Sequence, residues 1–433
     1  MQILHYERLN KAQREQALQR PAINLGEQTS QVVASIIKEV REFGDKALIE
    51  QALKFDKAQI SSVRVSKDEI KNAKIDKALQ KAIKTAYKNI KKFHEAQIFK
   101  GIDIETMSGV RCELVSRPIE KVGLYIPGGL APLFSTALML CIPAKIAACK
   151  KIVLASPAKI NDAILFVAKL CGVDEVYQMG GAGAIAALAY GTQSVCKVDK
   201  IFGPGNAFVT EAKRQVSADI KGAAIDMQAG PSEVLIIAEK GANAEFIALD
   251  LLSQAEHGAD SQVILLCTDE NLALRVSKQV QKELENLPRK EIAQRAIANS
   301  RIIIAKNLAQ CVEISNEYAP EHLIIQTAKP RELLKHINNA GSVFLGAFSP
   351  ESMGDYASGT NHVLPTYGLT RAHSSLNLSD FCKKMTVQEL SKKGFKKLAP
   401  SVEILAENER LDAHKKAASV RLKTLKEKEV ENV

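Results

Sequence analysis

From about residue 110 onward, short apolar runs alternate with longer stretches whose apolar residues recur at helical spacing. The runs are rich in Val, Ile and Leu and end in turn residues, as buried strands do. In chain order they are KVGLYIP, KIVLASP, DEVYQMGG, KIFGPGN, SEVLIIAE, SQVILLC, SRIIIAK, EHLIIQT and GSVFLG. This alternation predicts an α/β protein with mostly parallel sheets, in which ligands bind beyond the carboxyl ends of the strands.

The two ends of the chain carry helical patterns. Residues 1 to about 100 predict an N-terminal helical segment, a helix over SQVVASIIKEVREFGDKALIEQAL, and a helix marked by a lysine ladder opposite Ile75, Leu79, Ile83 and Ile90. Lysines three or four residues apart are typical of the solvated face of an amphipathic helix. The ladder consists of Lys67, Lys71, Lys74, Lys77, Lys81, Lys84, Lys88 and Lys91. From about Ser379 the pattern returns to helix, which predicts a helical tail.

Composition adds limits to this picture. The 433 residues are 46% hydrophobic and 25% charged, which is typical of a soluble protein with roughly two or three domains. The most apolar run, residues 136–144, is too short for a membrane span, and the charged N-terminus lacks a signal core, so we expect a cytoplasmic protein. The eight cysteines are scattered and form no C-x-x-C motif, a distribution that is typical of reduced thiols.

The formal charge of +10 favours an anionic partner. Much of the excess lies in the lysine ladder, aromatic residues make up only 5%, and Trp is absent, so no stacking platform for nucleic acid is expected. We therefore expect small anionic molecules as partners, rather than nucleic acid or a membrane.

The octapeptide SQAEHGAD, residues 253–260, closes a predicted helix with Gln254 and His257 three residues apart and hence on one face. Gln254 continues the apolar stripe of Ile247 and Leu251, so a polar side chain occupies a core-facing position. Gly258 suits the residue that ends a helix. From these residues alone the octapeptide is either half of a metal site or a histidine at a helix terminus.

Glycine-rich turns follow several predicted strands. Residues 181–186, GAGAIA, match the G-x-G-x-x-A turn that approaches a pyrophosphate, although Asp199 is only a loose fit to the acidic ribose partner. Gly203-Pro-Gly205-Asn206 and the loop LYIPGG, with Tyr125, add two more turns. Together they predict a nucleotide site; each alone is also typical of a strand-to-helix turn without a ligand.

Paired acid–base residues stand at two further turns. Glu321 and His322 precede the strand LIIQT, and an imidazole beside a carboxylate suits general-base chemistry, although such a dipeptide also occurs in ordinary surface turns. Asp355 and His362 lie in the Gly/Ser/Thr-rich loop GDYASGTNHVLPTYG, where Asp355 offers a hard oxygen ligand. His414 follows Glu409 on the tail, where an exposed histidine is the simpler interpretation.

Several long motifs, in this order, resemble those of the histidinol dehydrogenase family: LYIPGG, VDKIFGPGN, IDMQAGPSEVLIIA, SQAEHGADSQ, EYAPEHLIIQT, MGDYASGTNHVLPTYG and LDAH. The resemblance covers most of the chain. It implies a homodimer with shared active sites and one Zn²⁺ per subunit. It also implies oxidation of L-histidinol through histidinaldehyde to L-histidine, the last step of histidine biosynthesis, with two NAD.

Residue by residue, the resemblance implies that the zinc ligands are Gln254, His257, Asp355 and the partner subunit's His414. It implies that the same four residues also contact the substrate. Further matches fall on NAD contacts at Tyr125 and Asn206, substrate contacts at Ser232, Glu409 and His322, and the acid–base pair Glu321 and His322. Gly183 stands where the family usually has a glutamine that contacts NAD. The resulting G-x-G-x-x-A match is therefore interpreted as a coincidence.

On this basis we predict two Rossmann-like, incomplete doubly wound domains with mostly parallel sheets, N-terminal helices and a C-terminal helical tail. The predicted boundaries are residues 1–20 for an N-terminal helical segment, 21–124 with 234–376 for the domain with the zinc and acid–base residues, 125–233 for the domain with the NAD loops, and 377–433 for a tail that contributes to the partner's site.

The resemblance also suggests a mechanism: His322 removes the hydroxyl proton, and Glu321 activates water for attack on the aldehyde. A thiohemiacetal at Cys141 is the alternative for the second oxidation, but its apolar context, LMLCIPAKIA, raises a thiol pKa and favours a core residue. Two other functions stay open, a related zinc and NAD dehydrogenase of another small polar alcohol and a zinc hydrolase.

Overall fold

A computed structural model describes residues 1–21, 26–128, 132–227 and 230–430. Gly129, Gln228 and Ala229, which belong to two of the motifs quoted above, lie outside the described residues. By its contacts the chain divides into two units, Met1–Gln97 with Ile119–Phe381, and Ile98–Pro118 with the chain from Cys382 onward.

Strands and helices alternate along most of the described chain. The strands are β1 (Gln2–His5), β2 (Ile102–Met107), β3 (Val110–Pro118), β4 (Lys121–Tyr125), β5 (Lys151–Ser156), β6 (Glu175–Gln178), β7 (Lys200–Phe202), β8 (Ala224–Ile225), β9 (Glu233–Ala238), β10 (Gln262–Cys267), β11 (Arg301–Ile304), β12 (His322–Gln326), β13 (Ser342–Leu345) and β14 (Cys382–Leu390). The helices are α1 (Lys11–Leu18), α2 (Glu27–Phe43), α3 (Asp45–Phe55), α4 (Lys67–Asn72), α5 (Lys77–Glu95), α6 (Phe134–Ile146), α7 (Asp162–Cys171), α8 (Gly181–Tyr190), α9 (Ala207–Ala218), α10 (Ala244–Ala255), α11 (Glu270–Leu284), α12 (Lys290–Ala298), α13 (Leu308–Tyr318), α14 (Pro330–Leu334), α15 (Glu351–Tyr356), α16 (Lys392–Asn408) and α17 (Asp412–Val430).

The first unit contains a five-stranded parallel sheet with the order β6-β5-β4-β7-β8. Helices α6 to α9 alternate with its strands along the chain. This is a Rossmann-like order, because the chain moves outward from β4 in one direction and then continues on the other side of β4. The carboxyl ends of β4 and β7 therefore flank a crevice at the point of reversal, where such sheets bind ligands.

A six-stranded sheet in the same unit has the order β1-β11-β10-β9-β12-β13, and every neighbouring pair is parallel. Strands β9 and β10 are buried at every position. Burial on both faces explains why these central strands read as continuous apolar runs. The expectation of an α/β protein with mostly parallel sheets is confirmed.

The N-terminal part of the chain departs from its helical expectation in two places. Residues 2–5 form strand β1, which pairs with β11 at the edge of the six-stranded sheet; four residues carry too little periodicity to reveal this. The lysine ladder spans two helices, α4 and α5, because Ser66 caps the first and Asp76 caps the second. Local capping thus interrupts a pattern that the lysine spacing continues.

The second unit contains an antiparallel sheet of β14, β3 and β2, together with α16 and α17. The helical expectation for residues after about Ser379 is wrong at 382–390, which form β14. Most positions of β2 and β14 are exposed, so the apolar alternation that marks a strand is weak there. Across both units, none of the helices within the described ranges is long and apolar enough to cross a membrane.

Candidate active site

A cavity of about 540 Å³ lies at the carboxyl ends of strands in the five-stranded sheet. Tyr125 ends β4, Gly183 lies in the first turn of α8 after β6, and Asn206 caps α9 after β7. All three residues line the cavity. The structure therefore brings together the residues that the sequence suggested as nucleotide contacts, at the edge where a parallel sheet binds ligands.

Hydrogen bonds fix the polar groups of this cavity. The backbone N–H of Gly181 donates to the Tyr125 hydroxyl at 3.0 Å, and burial raises the pKa of Tyr125 to about 12, so its phenol stays protonated. The Asn206 side-chain oxygen accepts from the backbone N–H groups of Phe208 and Val209, both at 3.1 Å. The apolar part of the lining suits a planar ring and includes Val32, Ile36, Leu48, Phe55, Met179 and Phe208.

His322 is the first residue of β12 in the six-stranded sheet, and Glu321 immediately precedes it. Both side chains are buried and contact the backbone of Glu233, the first residue of β9. The Glu233 N–H donates to Glu321 Oε2 at 2.8 Å, and His322 Nδ1 donates to the Glu233 carbonyl at 3.0 Å. Because a carbonyl only accepts, Nδ1 carries a proton, and Nε2 is the nitrogen left for chemistry.

The side chain of Glu233 has a separate role. Arg20 holds its carboxylate with Nε at 2.5 Å from Oε1 and Nη2 at 2.9 Å from Oε2, and the N–H of Tyr367 donates to Oε1 at 2.8 Å. Ser232, a predicted substrate contact, precedes Glu233 and is half-buried. The N-terminal segment therefore anchors the strand that positions both acid–base residues.

Two carboxyl groups of α15 face His322. Asp355 Oδ1 lies 3.4 Å from His322 Nε2. Burial disfavours the charged form of Asp355, but the His322 imidazole outweighs it, so the pKa of Asp355 is lowered. Glu351, one helical turn earlier, is also buried, and this burial raises its pKa to about 8 despite the opposing effect of His322. Burial alone would lower the pKa of His322, but Glu321, Glu351 and Asp355 together raise it well above its usual value.

Gln254 is a buried residue whose amide has no hydrogen-bond partner at either atom within the described part of the chain. It lies in the last turn of α10, which ends at Ala255, so His257 follows the helix rather than belonging to its last turn, as the sequence had suggested. The backbone N–H of His257 donates to the Gln254 carbonyl at 3.1 Å, which keeps the two residues together. His257 is an exposed residue by its total surface, yet burial of its imidazole lowers its pKa, against the opposing effect of Asp355.

The fit of a metal ion rests on these residues. No group of three or more His, Cys, Asp and Glu side chains that could hold a metal occurs among the residues described. A site built on Gln254, His257 and Asp355 has one histidine and one carboxylate, and its third side chain is the amide of Gln254. The unsatisfied buried amide of Gln254 supports this set, because a buried polar group without a partner costs about 1–3 kcal/mol. These three side chains thus fit part of a zinc site that lacks one ligand.

Glu409 and His414 belong to the second unit. Glu409 follows the end of α16, His414 lies in the first turn of α17, and both are exposed. Cys141, the thiol considered from the sequence, is buried in α6, and both the neighbouring Cys171 and burial raise its pKa well above the usual value. A thiol so placed is a poor nucleophile.

Sequence reasoning did not identify Glu351, Glu233 or Arg20 as part of this cluster. Glu351 precedes Asp355 by four residues on one helix, a spacing that places both on one face and is the signal that was available. Arg20 carried no such signal, because its partner Glu233 is distant in the chain.

Comparison with known proteins decides the family. The family model described as histidinol dehydrogenase matches residues 18–422. The chain is 72% identical to the histidinol dehydrogenase of Campylobacter jejuni strain RM1221, over 98% of this chain and 100% of that protein. The chain belongs to the histidinol dehydrogenase family. The histidinol dehydrogenase of Mannheimia succiniciproducens is 61% identical, over 98% of this chain and all of that protein.

A solved structure agrees with this assignment. The crystal structure of histidinol dehydrogenase from Elizabethkingia anophelis matches with a TM-score of 0.95 and 49% identity, and covers 98% of this chain and 99% of that one. The match to this family confirms the resemblance found in the sequence. This member of the histidinol dehydrogenase family is an enzyme, an oxidoreductase that acts on an alcohol.

Proposed function

We propose that this enzyme oxidises L-histidinol through L-histidinaldehyde to L-histidine, with Zn²⁺ and NAD, as the last step of histidine biosynthesis. The observation that carries the proposal is the cluster around His322. There an acid–base pair held by the Glu233 peptide group lies beside Asp355 and Glu351, and Glu351 in turn lies near the buried amide of Gln254.

Gln254, His257 and Asp355 would hold the zinc ion together with the partner subunit's His414. When bound, zinc supplies a template for the amino and imidazole nitrogens of the substrate, which orients its alcohol carbon. The exposed positions of Glu409 and His414 support a homodimer with shared active sites, since exposed side chains are available to another subunit.

The acid–base residues divide the proton transfers between them. Only the neutral imidazole can act as the base, so the proton favoured by the surrounding carboxylates must first leave Nε2. His322 Nε2 then accepts the proton of the substrate hydroxyl in the first oxidation, since Nδ1 is committed to the Glu233 carbonyl. Glu321 then removes a proton from the water that attacks the aldehyde, and His322 serves again when the resulting diol is oxidised. Ser232 and Glu409 contact the substrate outside the reacting carbon.

NAD is proposed to bind in the cavity at the carboxyl ends of β4 and β7, where Tyr125 and Asn206 stand at two turns. When bound, NAD supplies the acceptor for the electrons of each oxidation, so one substrate consumes two NAD.

The test is the stoichiometry of NADH formation with histidinol as the limiting reagent. Two NADH and one histidine per histidinol are expected, with loss of activity on chelation and recovery on addition of Zn²⁺. Turnover of other small diols in preference to histidinol would instead favour the related alcohol dehydrogenase. Zinc-dependent hydrolysis without NADH formation would favour the hydrolase.

A further inference from the structure

The absence of a side chain at Gly183 leaves a notch in the first turn of α8, and Gln51 fills it. A Cβ atom built on Gly183 would overlap Gln51 Oε1 and lie 3.1 Å from Gln51 Cδ and 3.5 Å from Leu48 Cδ2. Gln51 and Leu48 both belong to α3, one turn apart. Any side chain at position 183 would therefore displace the Gln51 amide, which can occupy its place only because residue 183 is glycine.

The Gln51 amide reaches a cavity where its donor is unsatisfied. Gln51 and Gly183 both line the cavity that contains Tyr125 and Asn206. Gln51 Nε2 is buried, and no acceptor for it exists within the ranges described. A buried donor without a partner is unfavourable, so it marks a position where a bound molecule can supply the missing acceptor.

The surroundings of the amide define what kind of group it would bind. Apolar side chains from three helices, among them Ile36, Leu48 and Phe208, form the walls around it. An apolar-walled space with an unpaired amide donor in its lining suits a heterocyclic ring whose rim offers a hydrogen-bond acceptor. Among the described residues of this lining, no cationic side chain is available for a phosphate, and the charged side chain is the carboxylate of Asp56.

We propose that Gln51 is a cofactor-binding residue, whose amide hydrogen-bonds the rim of a heterocyclic ring of the nucleotide, and that Gly183 is the residue that admits it. This inference rests on the proposed binding of NAD in the cavity. It also explains why position 183 can be glycine where the family usually has glutamine, because Gln51 then brings an amide to the cavity from α3.

The first test is Gln51→Leu, which removes the amide and leaves an apolar side chain in its place. Titration with NADH, followed by nucleotide fluorescence, should show about a tenfold loss of affinity, the worth of one hydrogen bond. The melting temperature of the nucleotide-free protein should stay the same or rise, because a buried unsatisfied donor has been removed. Gln279→Leu, which removes a partly buried amide that is bonded to Glu283 and does not line the cavity, is the matched control and should leave affinity unchanged.

Two results would overturn the inference. Unchanged affinity of Gln51→Leu for NADH would show that the amide makes no contact, and a lowered melting temperature without nucleotide would assign Gln51 a structural role. If the unmodified protein fails to bind NADH, the proposed cofactor itself is wrong. If the unmodified protein and the variant both bind NADH normally, only the role of Gln51 is wrong.

A double-mutant cycle tests the role of Gly183 independently. Gly183→Ala should weaken NADH binding by displacing the Gln51 amide, and the double variant with Gln51→Leu should bind no worse than Gln51→Leu alone. Gln51→Ala combined with Gly183→Gln returns an amide to the cavity from α8 and should recover affinity relative to Gln51→Ala. If the losses of NADH affinity in Gly183→Ala and Gln51→Leu add up in the double variant, the two substitutions do not act through the same Gln51 amide, and the inference is contradicted.

Discussion

At the scale of single residues, His322 and Glu321 make different contacts although they are neighbours in the chain. His322 binds a carbonyl through Nδ1, which leaves Nε2 for the proposed proton transfer, while Glu321 accepts an N–H through one oxygen. His322→Asn should therefore slow both oxidations by about 10²–10⁴-fold, the usual worth of a general base. Glu321→Gln should slow aldehyde oxidation much more than alcohol oxidation. Stopped-flow measurements that start from histidinol and from histidinaldehyde would separate the steps, and equal losses in both would contradict this division.

Asp250 allows a prediction about stability and pH. It is buried on α10, where Gln326 donates a hydrogen bond to it at 2.9 Å, and burial raises its pKa to about 7. The unfolded chain has a carboxyl pKa near 3.9, so the folded protein binds this proton more tightly. Its contribution to stability therefore falls as pH rises from about 4 to about 7 and is constant above that range.

Asp250→Asn removes this dependence and keeps an acceptor for Gln326. The variant should be more stable than the unmodified protein at pH 8, by roughly 2–4 kcal/mol, and the difference should shrink toward pH 5. Thermal melting across this pH range measures it. Asp68→Asn, at an exposed position of α4, is the control and should show no such trend. A gain that does not vary with pH would contradict the assignment to Asp250.

Motifs in the sequence revealed only part of the site at this scale. Glu321 with His322, and Gln254 with His257, are neighbours in the chain, so each pair was visible as a unit. Gln51 was not, because its importance depends on the absence of a side chain at Gly183, on a different helix. Contacts between distant segments leave no periodic or local pattern in the sequence.

At the scale of elements, Asp76 separates two helices that the lysine spacing joins. Its Oδ1 accepts the N–H of Leu79 at 2.8 Å and so begins α5. Asp76→Ala should lower the free energy of unfolding by about 1 kcal/mol, the typical loss for an N-cap. Chemical denaturation measures the change. Lys88→Ala, at an exposed position of the same helix, is the control and should have little effect; an equal loss there would contradict the capping role.

The elements that were predicted and those that were missed differ in burial. Strands β9 and β10 are buried throughout, so their apolar sequences identified them. Strands β2 and β14 are mostly exposed, and their pairing with β3 rather than a hydrophobic pattern defines them. Sequence patterns reflect burial, whereas strand pairing at the surface depends on backbone hydrogen bonds, which nearly all residue types can form.

At the scale of the whole molecule, the cavity and the cluster around His322 lie at opposite ends of the strands in their respective sheets. The cavity with Tyr125 lies at the carboxyl ends of its sheet, as expected, but Glu321 and His322 lie at the amino end of β12. Gln254 reaches the same cluster because α10 returns from the end of β9 toward the start of β10. Glu321 and His322 thus stand before the strand LIIQT, as the sequence indicated, at the sheet edge opposite to the one where parallel sheets usually bind ligands.

The proposed shared site predicts complementation between inactive variants. A dimer of one Gln254→Ala subunit and one His414→Ala subunit contains one complete set of ligands, so co-refolded mixtures should regain about a quarter of full activity. Steady-state assays after mixing measure this. Gln254→Ala mixed with Asp355→Asn is the control and should stay inactive, because both ligands come from one subunit. Failure of the first mixture would indicate that His414 serves its own chain.

The bonds of Glu233 to Glu321 and His322 have a mechanical consequence. In the register of the sheet, His322 stands opposite Val234, so the Glu233 peptide group lies one rung before the backbone ladder of β9 and β12 begins. Two side chains, a carboxylate and an imidazole, form that rung in place of backbone groups. The sheet thus extends by one step through the side chains of Glu321 and His322, and neither can change rotamer without opening the end of the ladder.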